Sequence, residues 1–225
     1  MKWLLDFFAS TLGRKLLVAL TGIFLILFLA IHLTGNLQLL KDDGGRAFNL
    51  YAAFMTSNPL IQIVSKLNFF FILLHVVVSL ALTVKNRRAR GPERYAVTSG
   101  KSSIWASRNM AVLGTLVLIF MVIHLKDFYA QMHWGGISTQ TYDGQVVRDL
   151  YTLVDFWFGK AWYVALYCFC MAALAFHLWH GFASAFQTLG LNHMKYNPVI
   201  DSVGKAFAVV VPALFALIPI WMFFA

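Results

Sequence analysis

The sequence predicts an all-α fold, a transmembrane five-helix bundle, and three observations carry that expectation. The chain is 60% hydrophobic and only 12% charged over 225 residues, about half the charged share of a soluble domain. Its apolar residues collect into five runs long enough to cross a bilayer. The basic residues behind the net charge of +9 sit between those runs, where membrane orientation accounts for them better than nucleic-acid binding does. One integral membrane domain is expected over 1–225, with no soluble domain and no low-complexity segment. Cys168 and Cys170 lie two apart in one run and point away from each other on a helix, so neither a disulfide nor a metal clip is expected.

The spans are placed at 16–39, 64–84, 109–129, 161–185 and 203–225. Lys126 and Asp127 mark the end of the third, which tilt or an extension through Phe128 and Tyr129 completes. Pro212 and Pro219 fall inside the fifth, where kinks rather than a break are expected. Lys2, Arg14 and Lys15 precede the first span, and Lys85, Arg87, Arg88, Arg90, Arg94, Lys101 and Arg108 lie between the second and third. The first–second and third–fourth connections are nearly charge-balanced and hold most of the acids. The N-terminus is therefore expected inside and the C-terminus outside. The first run is too long for a cleaved signal peptide and lacks a small-residue cleavage site, so it is read as retained. Arg46–Thr56 repeats apolar residues at helical spacing before Asn58-Pro59 and reads as a helix on the outer membrane surface. Val147–Phe158 reads the same way.

Seven histidines occur. His133 and His193 fall in connecting segments and read as solvated. The other five lie within four separate spans, and a buried imidazole in lipid needs a partner. At the helical rise, His32 comes to about 24 Å from the inner surface and His124 to about 23 Å. His75 comes to about 15 Å and His177 to roughly 15–20 Å. The histidines thus sort into an outer pair and an inner pair about 5–9 Å apart in depth, each drawn from two helices. His177 and His180 share a helix face, and spacing does not separate them as the fourth member; His180, closer to the inner surface, is placed to bond a propionate or a quinone.

Two imidazoles at one depth suit bis-histidine ligation of a haem iron between helices. Zinc or copper would want further ligands, and no Cys or carboxylate is suitably placed. A carboxylate proton relay is also unsupported, because the spans carry almost no acids. LILFLAIHL (25–33) is similar to LVLIFMVIHL (116–125), with Gly22 and Gly114 each ten residues before the histidine. A glycine there lets a flat macrocycle lie close to the backbone, and ordinary helix packing uses glycine too.

IHLTGN at the end of the first span, FILLH in the second, WASRNM and VIHL in the third, and HLWHGFASAFQTLG in the fourth together carry a family resemblance over nearly the whole chain. The sequence resembles the single-polypeptide, five-span, di-haem cytochrome b subunits that anchor bacterial succinate dehydrogenase and fumarate reductase. That resemblance implies two haem b groups between the first four helices, with His32, His75, His124 and His177 as axial iron ligands. The family's histidine followed four residues later by glycine falls on His177 and Gly181, which favours His177 over His180.

The resemblance further implies a flavoprotein subunit and an iron–sulfur subunit as partners. It also implies menaquinone or another quinone as substrate, a bacterial cytoplasmic membrane, and room for a higher oligomer of the complex. The dicarboxylate chemistry belongs to another subunit, since this chain has no dinucleotide-binding glycine pattern and no cysteine cluster. Some fumarate-reducing members carry a glutamate two residues before the fourth-span ligand. Here that residue is Ala175 and the chain's one glutamate is Glu93, so the balance tilts toward succinate oxidation. Arg108 and Lys101 are candidate propionate contacts, with membrane orientation an equal explanation. Ser10 and Arg14 are candidate quinone contacts, against a plain helix cap and orienting charge. The competing readings are an anchor for a hydrogenase or formate dehydrogenase, and a non-redox transporter or scaffold.

Overall fold

The computed structural model describes residues 2–91 and 105–225. It is mostly helical, and five helices are long and apolar enough to cross a membrane. A short helix α1 (Lys2–Ala9) leads into α2 (Thr11–Asn36), which a 3₁₀ turn at Leu37–Leu40 extends. Ser10 makes the corner. Its hydroxyl donates to the Phe7 carbonyl at 2.5 Å and accepts from the Gly13 amide at 3.0 Å, satisfying an orphan donor of the new helix. Gly13 is required there, because a Cβ would overlap the Phe7 carbonyl.

Beyond the turn, α3 (Arg46–Ser57) runs to Asn58, and α4 (Pro59–Arg90) starts at once. Asn58 Oδ1 accepts from the Leu60 and Ile61 amides, and Pro59 occupies the first helical position, where it has no hydrogen bond to lose. The third long helix is composite. A short α5 (Trp105–Arg108) precedes α6 (Met110–His124), which continues through a π-turn at Leu125–Ala130 into α7 (Gln131–Trp134). Strands β1 (Thr139–Tyr142) and β2 (Gln145–Arg148) then form an antiparallel hairpin, followed by α8 (Leu150–Phe158), α9 (Ala161–Thr188) and α10 (Asn197–Phe224). The last helix is unbroken through Pro212 and Pro219.

The hairpin corrects one expectation. Val147–Phe158 is not one helix. Asp143 and Gly144 both have positive φ, 52° and 81°, the two-residue turn that closes a tight hairpin. Val147 and Arg148 therefore pair with Gln140 and Thr139. Asp149 then accepts from the Thr152 amide and starts α8 afresh.

The hairpin, α3 and α8 form one polar layer fastened at Asn49, which is 0% exposed. Its amide donates to Tyr142 Oη at 3.2 Å and to Asp149 Oδ1 at 3.0 Å, and its oxygen accepts from the Tyr151 amide at 2.9 Å. Burial opposes charge on Asp149. The bonds it accepts from Thr152, Asn49 and Gln140 outweigh that and hold its carboxyl below the ordinary value.

Four helices pack as a ring in the order α2, α4, α6, α9. Adjacent members are the packing partners, with α4 against α6 the thinnest edge, and α10 lies outside the ring across α9 and α2. Helix α9 is the most buried of the five long helices and α4 the least. On α4, Leu60, Ile63, Val64, Leu67, Phe70, Leu73, Val77, Leu80 and Val84 are exposed. They form an apolar stripe that water would not tolerate and lipid would.

Candidate functional site

The ring order brings the span histidines together across its diagonals. His32 on α2 and His124 on α6 meet with ring centroids 5.8 Å apart and planes at 88°. Phe28 stacks on His32 at 5.2 Å, and Phe120 and Phe128 flank His124. His75 on α4 and His177 on α9, the other diagonal, lie within electrostatic range of each other. The four are each half-buried.

The two glycines of the repeated segment face the second pair. A Cβ on Gly22 would stand 3.5 Å from His75 Cε1, and one on Gly114 would stand 3.7 Å from His177 Cε1. Each glycine thus opposes an imidazole of the next long helix rather than the histidine on its own. This also corrects the depth arithmetic. Gly22 marks the His75 level and lies ten residues from His32, about 15 Å along α2. Gly114 and His124 repeat that spacing on α6. The 5–9 Å figure was too small because antiparallel helices do not share ends: α2 begins at Thr11 and α4 continues to Arg90.

Hydrogen bonds orient two of the imidazoles. Thr21 Oγ1 lies 2.7 Å from the Leu17 carbonyl and 3.0 Å from His75 Nδ1. With its one proton returned to the helix carbonyl, its oxygen is placed to accept from His75 Nδ1 in the tautomer that protonates that nitrogen. His124 Nδ1 lies 2.9 Å from the Tyr167 hydroxyl. His177 Nδ1 is buried without a hydrogen-bond partner. The repeat explains the difference, since the residue before Gly22 is Thr21 whereas the residue before Gly114 is the buried Leu113.

The remaining candidates fall elsewhere. His180 is on α9 one turn beyond His177, half-buried, with the neighbouring Trp179 under Lys205 Nζ at 5.8 Å. Arg108 ends α5 with an exposed side chain. Lys101 lies outside the described residues. The Ser10 hydroxyl is engaged in capping α2, and Arg14 is in that helix's first turn.

Sequence reasoning missed two buried polar groups. Asn68 lies two turns before His75 on α4, buried, with Oδ1 unpartnered. Asp127, read from the sequence as a charge at the end of a span, is 3% exposed. The π-turn re-aims it inward, where it accepts from Tyr163 Oη at 3.0 Å while Lys126 Nζ stands 2.9 Å from its other oxygen. The one visible signal was a Lys-Asp pair next to an apolar run.

The residues fit a bis-histidine haem. Metal–imidazole bonds of about 2.0–2.1 Å put two facing rings on the scale of the 5.8 Å separation of His32 and His124. A Cβ built on Gly22 or Gly114 would meet only the facing imidazole within 4 Å, a cradle open to a flat ring beside His75 and His177. Among the described residues, no three His, Cys, Asp or Glu side chains converge as a metal site. The five long apolar helices fit a multi-pass membrane protein. Comparison with known protein families, with curated proteins and with solved structures finds no match.

Proposed function

We propose that this chain is the membrane-anchor cytochrome b subunit of a succinate:menaquinone oxidoreductase. In this reading His32 with His124 and His75 with His177 hold two b haems, and the chain passes electrons between an iron–sulfur subunit and quinone. The observation that carries it is the pairing of histidines across both diagonals of the ring, at two levels about 15 Å apart along α2. The motif resemblance supplies the succinate dehydrogenase assignment.

When bound, haem iron supplies reversible one-electron transfer. The chain's part is to hold, orient and insulate. Thr21 and Tyr167 engage the Nδ1 side of His75 and His124, so Nε2 is the nitrogen that would ligate. Gly22 and Gly114 keep the space open, and aromatic side chains around His32 and His124 exclude water. The end bearing Arg87, Arg88 and Arg90 is taken as cytoplasmic, facing the iron–sulfur partner. The hairpin end is taken as the outer side.

The test is an absorption spectrum of the purified chain with its co-purifying subunits. Two resolvable b-type bands and a flavin-bearing partner that oxidises succinate are expected. A spectrum without haem bands overturns the redox reading. Haem bands with a hydrogenase or formate dehydrogenase partner would instead assign the anchor to that complex.

A further inference from the structure

A string of buried polar groups runs from the hairpin end of the molecule to His124. Lys126, 72% exposed at its side chain, pairs with one oxygen of Asp127. The other oxygen accepts from Tyr163 Oη. Tyr163 is fully buried, wedged between Trp157 at 4.8 Å and Tyr167 at 5.0 Å between ring centroids. The Tyr163 and Tyr167 rings pack against each other at a 34° tilt, and Tyr167 Oη reaches His124 Nδ1 at 2.9 Å.

Proton counting gives the string one direction. A carboxylate only accepts, so Tyr163 spends its single proton on Asp127. With His124 ligating through Nε2, its Nδ1 carries the proton and the Tyr167 oxygen accepts it, which leaves the Tyr167 proton for the Tyr163 oxygen. In that order every donor is directed toward the carboxylate. We infer that Asp127, acting through Tyr163 and Tyr167, increases the basicity of His124 as a haem ligand and lowers the reduction potential of the haem it shares with His32.

This rests on the reading of His124 as an iron ligand in the preceding section. Hydrogen bonds strengthen in a low-dielectric interior and polarise one another along a chain. A carboxylate behind a ligating imidazole is a recurrent way to fix its tautomer and raise its donor strength. A stronger donor favours the ferric state, which is the direction of a lower potential. The other imidazoles are treated differently. The bond from His75 ends on Thr21, a neutral hydroxyl returned to its own helix, and His177 Nδ1 has no partner. Asp127, Tyr163 and Tyr167 are thus positioning residues, and their effect falls on one haem of two.

The experiment is a redox titration of the purified complex followed in both b-type bands, for the natural protein, Tyr167→Phe, Asp127→Asn and the double variant. Each single substitution is expected to favour reduction of one haem by about tenfold, about 59 mV upward for one electron. The other band should stay in place. The double variant should shift no further than the larger single one, because both cut the same string. An Asp127→Asn shift that is equally large with Phe at 167 overturns the inference, since the charge would then act through space. Unmoved bands in both single variants overturn it as well and leave the string as a packing tie between helices. Tyr163→Phe keeps the ring stack and removes only the hydroxyl, so it reads the same shift should Asp127→Asn impair folding. Absence of haem bands from the natural protein would refute the ligand reading itself, a result distinct from bands that do not move.

Discussion

Gly22 on α2 stands opposite the imidazole of His75 on α4, with 3.5 Å between His75 Cε1 and the place a Cβ would take. Gly114 and His177 repeat the relation one helix pair later, at 3.7 Å. The α2/α4 and α6/α9 pairs are therefore two copies of one local design, a glycine on the first helix opening space before a histidine on the second.

On the proposed di-haem reading, Gly22→Leu is expected to fill that space and remove one haem of two, while Gly22→Ala, at ordinary contact distance, keeps both. Haem content per chain, measured by extraction, should fall to about half in the first variant and stay unchanged in the second. Equal haem in both would mean that the glycine serves helix packing alone.

His177 and His180 should separate cleanly. His177→Ala is expected to lose one b-type band, and His180→Ala to retain two. Low-temperature absorption spectra read both, and the reverse pattern would exchange the two residues' roles. Under the proposed function, His32→Leu should abolish electron delivery to quinone while succinate oxidation by artificial dyes persists, because that reading places the dicarboxylate chemistry in another subunit.

Asn49→Ala leaves Tyr142, Asp149 and the Tyr151 amide without their shared partner. An unsatisfied buried polar group costs about 1–3 kcal/mol. The expected outcome is a lowered unfolding midpoint with earlier proteolysis of the hairpin, and with spectra of the bound groups unchanged.

The carboxyl of Asp149 is held below its ordinary value, so its stabilisation is complete above the unfolded value of about 3.9. It is lost as pH falls through the lower folded value. Amide exchange at Thr152, whose N–H that carboxylate accepts, should stay protected at pH 5 and open only in stronger acid. Loss of protection between pH 7 and 5 would contradict this.

Orientation can be read by labelling. Gly136 has open space around its Cα at the hairpin end, and Asn192 is exposed at the basic end. In intact cells, Gly136→Cys should react with an impermeant thiol reagent and Asn192→Cys should not. The opposite labelling would invert the assigned topology.

The long helices and the histidines were legible because each stands out against its background: five apolar runs, and five imidazoles inside them. Contacts that depend on helix rotation were not. Nothing in sequence spacing announces that Thr21 would hold His75, or that Leu113 would leave His177 Nδ1 bare. Asp127 looked like an ordinary charge at a membrane edge, because its burial requires a π-turn that periodicity arguments do not contain. The hairpin was legible in principle from Asp143-Gly144, yet the apolar Val146-Val147 adjoin the helical run after Asp149 with no glycine or proline between them. The separation of the two histidine levels failed for a different reason, as each helix was measured from its own charged edge.

Helix α10 clamps over α2 and α9 and makes no comparable contact with α4 or α6, whose further neighbours are the short α3 and α5. The ring is thus double-walled on one flank and single-walled on the other, and its weakest joint, α4 against α6, lies on the single-walled flank. A hinge opening at that joint would part the α2/α4 hairpin from the α6/α9 hairpin without disturbing the α9/α10 contact.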